Sequence, residues 1–200
     1  VSSVRLEILA SAALDRVLPA LAGLRIEVFR DWPYLYDGDL EYETAYLQSY
    51  RNSKEAIVVG AFDGGTLIGA STGTPLTDHA EDFAAAFEGR DIDLNCVFYC
   101  AESVLLPAYR GLGLGHEFFD ARESHAQAWG YSKSAFCSVL RPVDHPMRAK
   151  DYNPLDPFWR KRGYVPMEGV VAQFCWKDLD SSTATDKPLQ FWVRDLTATP

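Results

Sequence analysis

The sequence predicts an α/β fold of the α+β kind: a mixed central sheet of about seven strands flanked by helices. Three observations carry this. Residues 56–62 and 66–74 are apolar runs joined by Asp63-Gly64-Gly65, the pattern of an antiparallel hairpin. Residues 96–106, a helix starting at Gly115, and residues 133–140 form a strand–helix–strand unit, whose two strands run parallel. After a short helix, residues 170–177 and 189–195 supply two further strands. A sheet built from both hairpin and crossover connections is mixed.

In chain order, Val4, Leu6 and Ile8 alternate with Arg5 and Glu7, which is strand periodicity. Leu14, Val17, Leu18, Leu21, Leu24, Ile26 and Phe29 repeat at helical spacing, with Pro19 an irregularity near the start. An aromatic loop follows: Trp32, Tyr34 and Tyr36, ending in Asp37 and Asp39. Residues 41–50 form a second short helix. After the hairpin, 77–93 reads as an inserted helix, with Phe83, Ala84 and Phe87 at helical spacing between acidic flanks. Pro107 ends the next strand because it cannot donate to a ladder. Residues 141–154 are irregular, 156–162 form a short helix closed by Gly163, and 180–187 is a polar linker. We read residues 1–200 as a single domain without internal repeats.

Composition narrows the function. The chain is 48% hydrophobic, as a globular protein is. Its 28 acidic and 19 basic residues give a net charge of −9, which disfavours nucleic acid and anionic membrane as partners and suits a cationic substrate. No stretch approaches the roughly 20 apolar residues of a membrane span, and no signal peptide is visible. The four cysteines, Cys96, Cys100, Cys137 and Cys175, form no Cys-x-x-Cys pair and lie in apolar runs. They are expected to be buried free thiols rather than metal ligands, in a protein of the cytoplasm.

The stretch that organises the chain runs from Glu102 to Asp120. Val104, Leu105 and Leu106 precede Pro107, and Gly111, Gly113 and Gly115 then alternate before a helix. A helix start with bare N–H groups, with Arg110 beside it, is a site for a phosphate or pyrophosphate. The spacing is not the Gly-x-Gly-x-x-Gly of a dinucleotide site, and His116 and Glu117 stand where a P-loop has Lys and Ser or Thr. Arg110-x-x-Gly113-x-Gly115, preceded by Pro107-x-Tyr109, closely resembles the coenzyme A pyrophosphate loop of the GNAT superfamily, the Gcn5-related N-acetyltransferases. The alternative is a plain strand-to-helix turn with glycines used for geometry. Residues 157–164, Pro-Phe-Trp-Arg-Lys-Arg-Gly-Tyr, are similar to that superfamily's late aromatic segment, and the element order matches from end to end. The chain also resembles a bacterial subgroup with similar Trp-Pro-Tyr-Leu-Tyr and Asp-Pro-Phe-Trp-Arg-Lys-Arg-Gly-Tyr segments.

The resemblance implies a GNAT fold in which the two central parallel strands splay apart. It implies acetyl-CoA as cosubstrate, its pantetheine arm on backbone groups at Val104, Leu105 and Leu106. The pyrophosphate would lie on Arg110, Gly111, Leu112, Gly113, Leu114 and Gly115, with Asn153 as a further coenzyme contact. Trp32, Tyr34, Tyr36 and Asp37 lie where such proteins bind the acceptor, and aromatics with acids suit an ammonium. A homodimer is left open.

Transfer to an amine needs a base, because a free lysine-like amine has a pKa of about 10.4. Glu102 is the first candidate: it sits in an otherwise apolar strand, where burial raises a carboxyl's pKa. Related proteins place their glutamate at least one residue further upstream, and a bulge would correct a one-residue offset. The other reading of Glu102 is a structural carboxylate bonded to a neighbouring strand or the first helix. His145 is a second candidate base. For the acid, Trp159 stands where the superfamily often has tyrosine, and indole cannot donate a proton in that way. Tyr152 and Tyr164 are the nearest substitutes. The expected activity is acetyl transfer from acetyl-CoA to a primary amine of a small molecule or peptide. The rival is a non-catalytic acyl-CoA binding or sensing domain, which the tryptophan favours.

Overall fold

The computed structural model describes residues 4–197. Its strands are β1 (Val4–Ile8), β2 (Ile57–Asp63), β3 (Thr66–Pro75), β4 (Val97–Leu105), β5 (Lys133–Val139), β6 (Val165–Lys177) and β7 (Ala184–Asp195). They form one sheet in the order β1-β2-β3-β4-β5-β7-β6, antiparallel throughout except for the central β4–β5 pair. The helices are α1 (Ser11–Phe29), α2 (Leu40–Asn52), α3 (Ala80–Phe87), α4 (Leu114–Ala128) and α5 (Asp156–Lys161).

Period-two alternation sorts the strand side chains onto two faces. Ile57, Val59 and Ala61 of β2 pack with Phe118, Phe119 and Ala126 of α4. Val58 and Phe62, between them, pack with Leu14, Leu18, Leu21 and Leu47 of α1 and α2. On the face away from α4, Phe83 and Phe87 of α3 cover Val97, Tyr99, Cys137 and Phe191. The sheet is therefore buried on both sides over its middle strands, which is why those strands read as continuous apolar runs.

Two irregularities meet at the centre. The β4–β5 pairing covers only Val97↔Lys133, Phe98↔Ser134 and Tyr99↔Ala135, and then the strands part. Against β3, Tyr99 lies opposite Thr74 but Glu102 lies opposite Thr72. Three steps along β4 thus match two along β3, which is a β-bulge. The extra residue reverses the alternation. Phe98 and Cys100 face α4, whereas Val104 packs with the α1–α2 cluster.

Three expectations change in detail. The inserted segment is a 3₁₀ turn (Leu76–His79), the two-turn helix α3, and a second 3₁₀ turn (Leu94–Cys96), not one long helix. Gly89, with φ of +69°, marks where the helical path is lost. β6 and β7 begin five residues earlier than expected, at Val165 and Ala184. Pro166, Gly169, Asp186 and Lys187 hide these strand starts from a hydrophobic pattern, and the pairing of β6 with β7 slips between Pro166 and Val171. Among the cysteines, Cys100 and Cys137 are buried, Cys96 is half-buried and Cys175 on the edge strand is exposed, all as free thiols. Among the described residues no helix is long and apolar enough to cross a membrane.

Candidate active site

Where β4 and β5 part, the backbone groups on one side of β4 lose their ladder partners. Antiparallel pairing sends the N–H and C=O of a residue to the same neighbour and alternates along the strand. Leu106 donates its N–H to Ile68 O on β3 at 3.0 Å. By alternation Val104 also faces β3, and Ser103 and Leu105 face the gap. The Leu105 carbonyl accepts there from Arg110 Nε at 3.2 Å. Of the expected pantetheine contacts, Leu105 is turned to the gap, while Val104 faces β3, and Leu106 gives its N–H to Ile68 O and accepts at its carbonyl from Tyr109 N–H at 3.0 Å. Ser103 stands with Leu105 in their place.

The glycine loop closes one end of this gap. Tyr109, in the 3₁₀ turn Pro107–Tyr109, donates its hydroxyl to Asp63 Oδ2 at 2.9 Å and ties the loop to the β2–β3 hairpin. Gly111 and Gly113 have φ of +80° and +90°, a region that other residues enter only with strain. No heavy atom lies within 4 Å of where a Cβ would stand on either glycine, so the space before the loop is open. The amides of His116 and Glu117 fold onto Gly113 O at 2.8 and 3.3 Å, and those of Leu114 and Gly115 come before any helical acceptor. Leu112 is exposed at the tip. The Arg110 guanidinium is half exposed, with Asp31 Oδ2 at 3.9 Å. Bare amides, the positive end of the α4 dipole and one arginine are groups whose chemistry suits an anion.

Glu102 faces α1 and α2 because of the bulge. Its Oε1 lies 2.5 Å from Arg25 Nη1, and its Oε2 accepts from the Tyr46 hydroxyl at 3.2 Å. Arg25 also pairs with Glu43, and its guanidinium lies over the Tyr46 ring at 4.6 Å. Tyr46 and Tyr50 share a hydrogen bond of 2.8 Å. All three ionic side chains are less than one-tenth exposed. Glu102 is thus held by an ion pair at one oxygen and a hydrogen bond at the other, an arrangement that suits the structural reading. Two carboxylates on one guanidinium leave a net negative charge beneath the cleft.

The aromatic loop is clamped rather than loose. Arg141 donates Nε to Pro33 O at 2.8 Å and Nη2 to Tyr34 O at 2.6 Å, and holds Asp178 with two bonds of 2.8 Å. Trp176 Nε1 adds a bond to Tyr34 O at 3.1 Å. Asp37 pairs with Lys177 at 2.6 Å and Arg30 at 3.5 Å, which holds its carboxyl below the usual range. The Tyr36 phenol is pushed up by burial and then by Glu43. Tyr34 is pushed up by burial first, then by Cys137 and Glu102. Of the four expected acceptor contacts, then, Trp32 packs against His145 and Tyr152 and Tyr34 against Phe29 and Trp176, while Tyr36 and Asp37 are engaged with Glu43, Lys177 and Arg30.

The remaining candidates separate. Tyr152 packs edge-on to Trp32 with ring centroids 6.1 Å apart, and burial followed by Asp156 pushes its phenol up. Tyr164 lies on the α4 face, fully buried, donating to Glu123 Oε1 at 2.9 Å with Ser134 Oγ at 2.7 Å. It is across the sheet from Glu102, so the structure does not bring these two together. Trp159 packs on the same α4 face against Phe136 and Trp192 at 4.9 and 5.2 Å. Asn153 is exposed in the loop before α5. His145 lies 5.1 Å from Trp32, and its Nδ1 accepts from Met147 N–H at 3.2 Å. Cys137 meets the Tyr99 hydroxyl at 3.2 Å, and burial pushes its thiol up to about 12.

Sequence reasoning missed Arg25, Glu43, Arg122 and Arg141. Arg25 and Arg122 stand within helical apolar stripes, where a charge is the available signal. Arg141 and Glu43 carry none, because their partners are remote in sequence.

Comparison with known proteins gives a consistent picture. Residues 23–149 match the model of the acetyltransferase (GNAT) family. No curated protein matches the chain. Among solved structures, it is similar to a ribosomal-protein-alanine N-acetyltransferase from Brucella melitensis (12% identity, TM-score 0.61, covering 96% of this chain and 99% of that one). An N-acetyltransferase from Staphylococcus aureus Mu50 is likewise similar (12% identity, TM-score 0.59, 98% and 100% covered). So is a Salmonella typhimurium protein solved with its cofactor acetyl-CoA (12% identity, TM-score 0.60, 100% and 97% covered). At these identities the likeness is one of fold.

Proposed function

The chain belongs to the acetyltransferase (GNAT) family, and from that premise we propose that it moves an acetyl group from acetyl-CoA to the primary amine of a small molecule or peptide. The observation that carries this is the half-paired β4–β5 gap with an open glycine loop at its end. A Cβ on Gly111 or Gly113 would stand in that open space, which suits close approach of a pyrophosphate. The family uses acetyl-CoA, and the similar Salmonella protein was solved with it. The exposed amides of the loop and Arg110 would hold the pyrophosphate, and Ser103 and Leu105 would bond the pantetheine arm.

The acceptor would enter past Trp32 and Tyr34. The net negative charge of Arg25, Glu43 and Glu102 favours an amine that arrives as an ammonium. Its proton then goes to water at the mouth of the cleft. Tyr152, a neutral phenol at neutral pH, is the residue we assign to protonate the leaving thiolate. Buried free thiols support a reducing, cytoplasmic setting.

The test is coenzyme-dependent thiol release with a panel of primary amines, small molecules and peptides alike. Amine-dependent release above the rate without amine supports the proposal. Tight acetyl-CoA binding with no release for any amine overturns it in favour of a binding domain.

A further inference from the structure

Arg122 is among the largest fully buried side chains, 1% exposed, yet it makes its bonds to backbone and hydroxyl oxygens. Its Nε donates to Phe118 O at 3.2 Å, one turn back on its own helix. Its Nη1 donates to both Thr72 O at 3.2 Å and Glu102 O at 3.0 Å, and its Nη2 to Ser103 Oγ at 2.9 Å. The guanidinium lies over the Phe119 ring at 4.6 Å.

Thr72 and Glu102 are register partners, and the pairing shift lies immediately beyond them. A bulge leaves a residue unpaired and disturbs the ladder locally, so carbonyls beside it need another donor. Arg122 is that donor for both strands at once. Without it, two buried carbonyls lose a partner, and the unbulged register becomes the competing arrangement. A one-residue slip sends every later side chain of a strand to the other face. Here it would turn Glu102 from Arg25 and Val104 from the α1–α2 core, and would swap the β4 amides that face the gap.

We propose that Arg122 is a positioning residue: from the α4 face it holds the β4 bulge, and so sets which β4 backbone groups meet the coenzyme and which face Glu102 presents. The proposal rests on the acetyl-CoA reading for its binding arm and is independent of it for its backbone arm.

The experiment compares Arg122→Met, Arg122→Lys and Ser103→Ala with the parent. Tyr131→Phe, which removes a bond to Glu55 and keeps the ring that packs on Phe98, controls for general loss of stability. Each protein is studied well below its own Tm. The backbone arm is hydrogen exchange of the 97–106 segment. Arg122→Met should exchange there about tenfold faster or more, beyond any change in Tyr131→Phe, because local opening reports local free energy. The binding arm is calorimetric acetyl-CoA affinity, where Arg122→Met should weaken Kd by about tenfold or more, the scale of a lost buried hydrogen bond. Arg122→Lys keeps a cation with fewer donors and should recover part of both losses. Ser103→Ala should show a smaller loss of the same kind. If Arg122→Met does not fold, the lysine and alanine variants decide. Exchange and affinity equal to the parent's, with only a lower Tm, overturn the proposal. A parent that binds no acetyl-CoA overturns the coenzyme reading, and the exchange arm alone then decides Arg122.

Discussion

Glu102→Gln separates the two roles open to that residue. The substitution keeps the shape and an oxygen for Tyr46, but removes the charge facing Arg25 at 2.5 Å. Arg25 retains Glu43, so the guanidinium is not left unpaired. The loss is then that of one close ion pair between side chains 9% and 8% exposed, about 1.5–3 kcal/mol, at the low end for close charge pairs. It is smaller than the 3–5 kcal/mol of a buried ion left alone. For a chain of this size about 2 kcal/mol lowers Tm by roughly 4–8 °C. On the structural role, turnover per folded molecule should change little, because the carboxylate is engaged in the ion pair with Arg25. The assays are thermal unfolding and steady-state kinetics with an amine the parent accepts, across pH. An unchanged Tm with turnover down about 10²-fold, partly restored at high pH, is the signature of a general base and would refute the structural argument.

Acetyl-CoA at one hundred times Kd should add about 2.7 kcal/mol, a rise of roughly 5–10 °C in Tm, and NAD should add nothing; no shift with millimolar acyl-CoA would refute the loop assignment. Arg110→Ala should weaken acetyl-CoA binding in calorimetry with Tm unchanged, whereas Gly113→Val should also lower Tm, by about 1–3 kcal/mol of backbone strain at φ of +90°. Asp178 is held low against the pull of burial by Arg141 and Lys187. A carboxyl whose folded pKa lies below its unfolded value, about 3.9, stabilises the fold above that value and stops doing so as pH falls through the folded pKa. Tm measured from pH 6 to pH 3 should therefore drop more steeply in the parent than in Asp178→Asn. A thiol reagent at pH 8 should modify Cys175 first and leave Cys137, exposed by 7% and held protonated, untouched until unfolding; early labelling of Cys137 by mass spectrometry would show an open cleft.

The element order was legible because each signal is local. The Asp63-Gly64-Gly65 turn, the three alternating glycines and the apolar runs of β2 and β4 depend on neighbours within a few residues. The early parts of β6 and β7 escaped notice for a tertiary reason. Lys187 sits in β7 at 5% exposure because its ammonium reaches the Thr185 and Trp176 carbonyls, a contact invisible to a hydrophobic pattern. The coenzyme loop was legible residue by residue, but the backbone contacts of β4 were not. Which amides face the gap depends on the ladder with β3, and Leu106 N–H belongs to Ile68.

The acceptor side was the least legible part because its chemistry is assembled from remote partners. Arg25 and Glu102 are 77 positions apart and meet only because the bulge between Tyr99 and Glu102 turns the carboxylate to α1. The one-residue offset that made Glu102 doubtful in the sequence is thus resolved in orientation and not in freedom: it points to the acceptor side and arrives already paired. On the proposed reaction, a carboxylate so held acts through its field. With Glu43 it outweighs one guanidinium by a unit charge among side chains less than one-tenth exposed, where such a charge acts more strongly than at the surface. On the proposed transfer the ammonium's proton leaves to water, so Tyr152, the neutral phenol assigned to protonate the leaving thiolate, is the group on which turnover depends. Tyr152→Phe should lower kcat more than KM, whereas Tyr34→Phe, at the wall of the acceptor pocket, should raise KM as well. Equal, small effects of both would refute the assignment of Tyr152 as the acid.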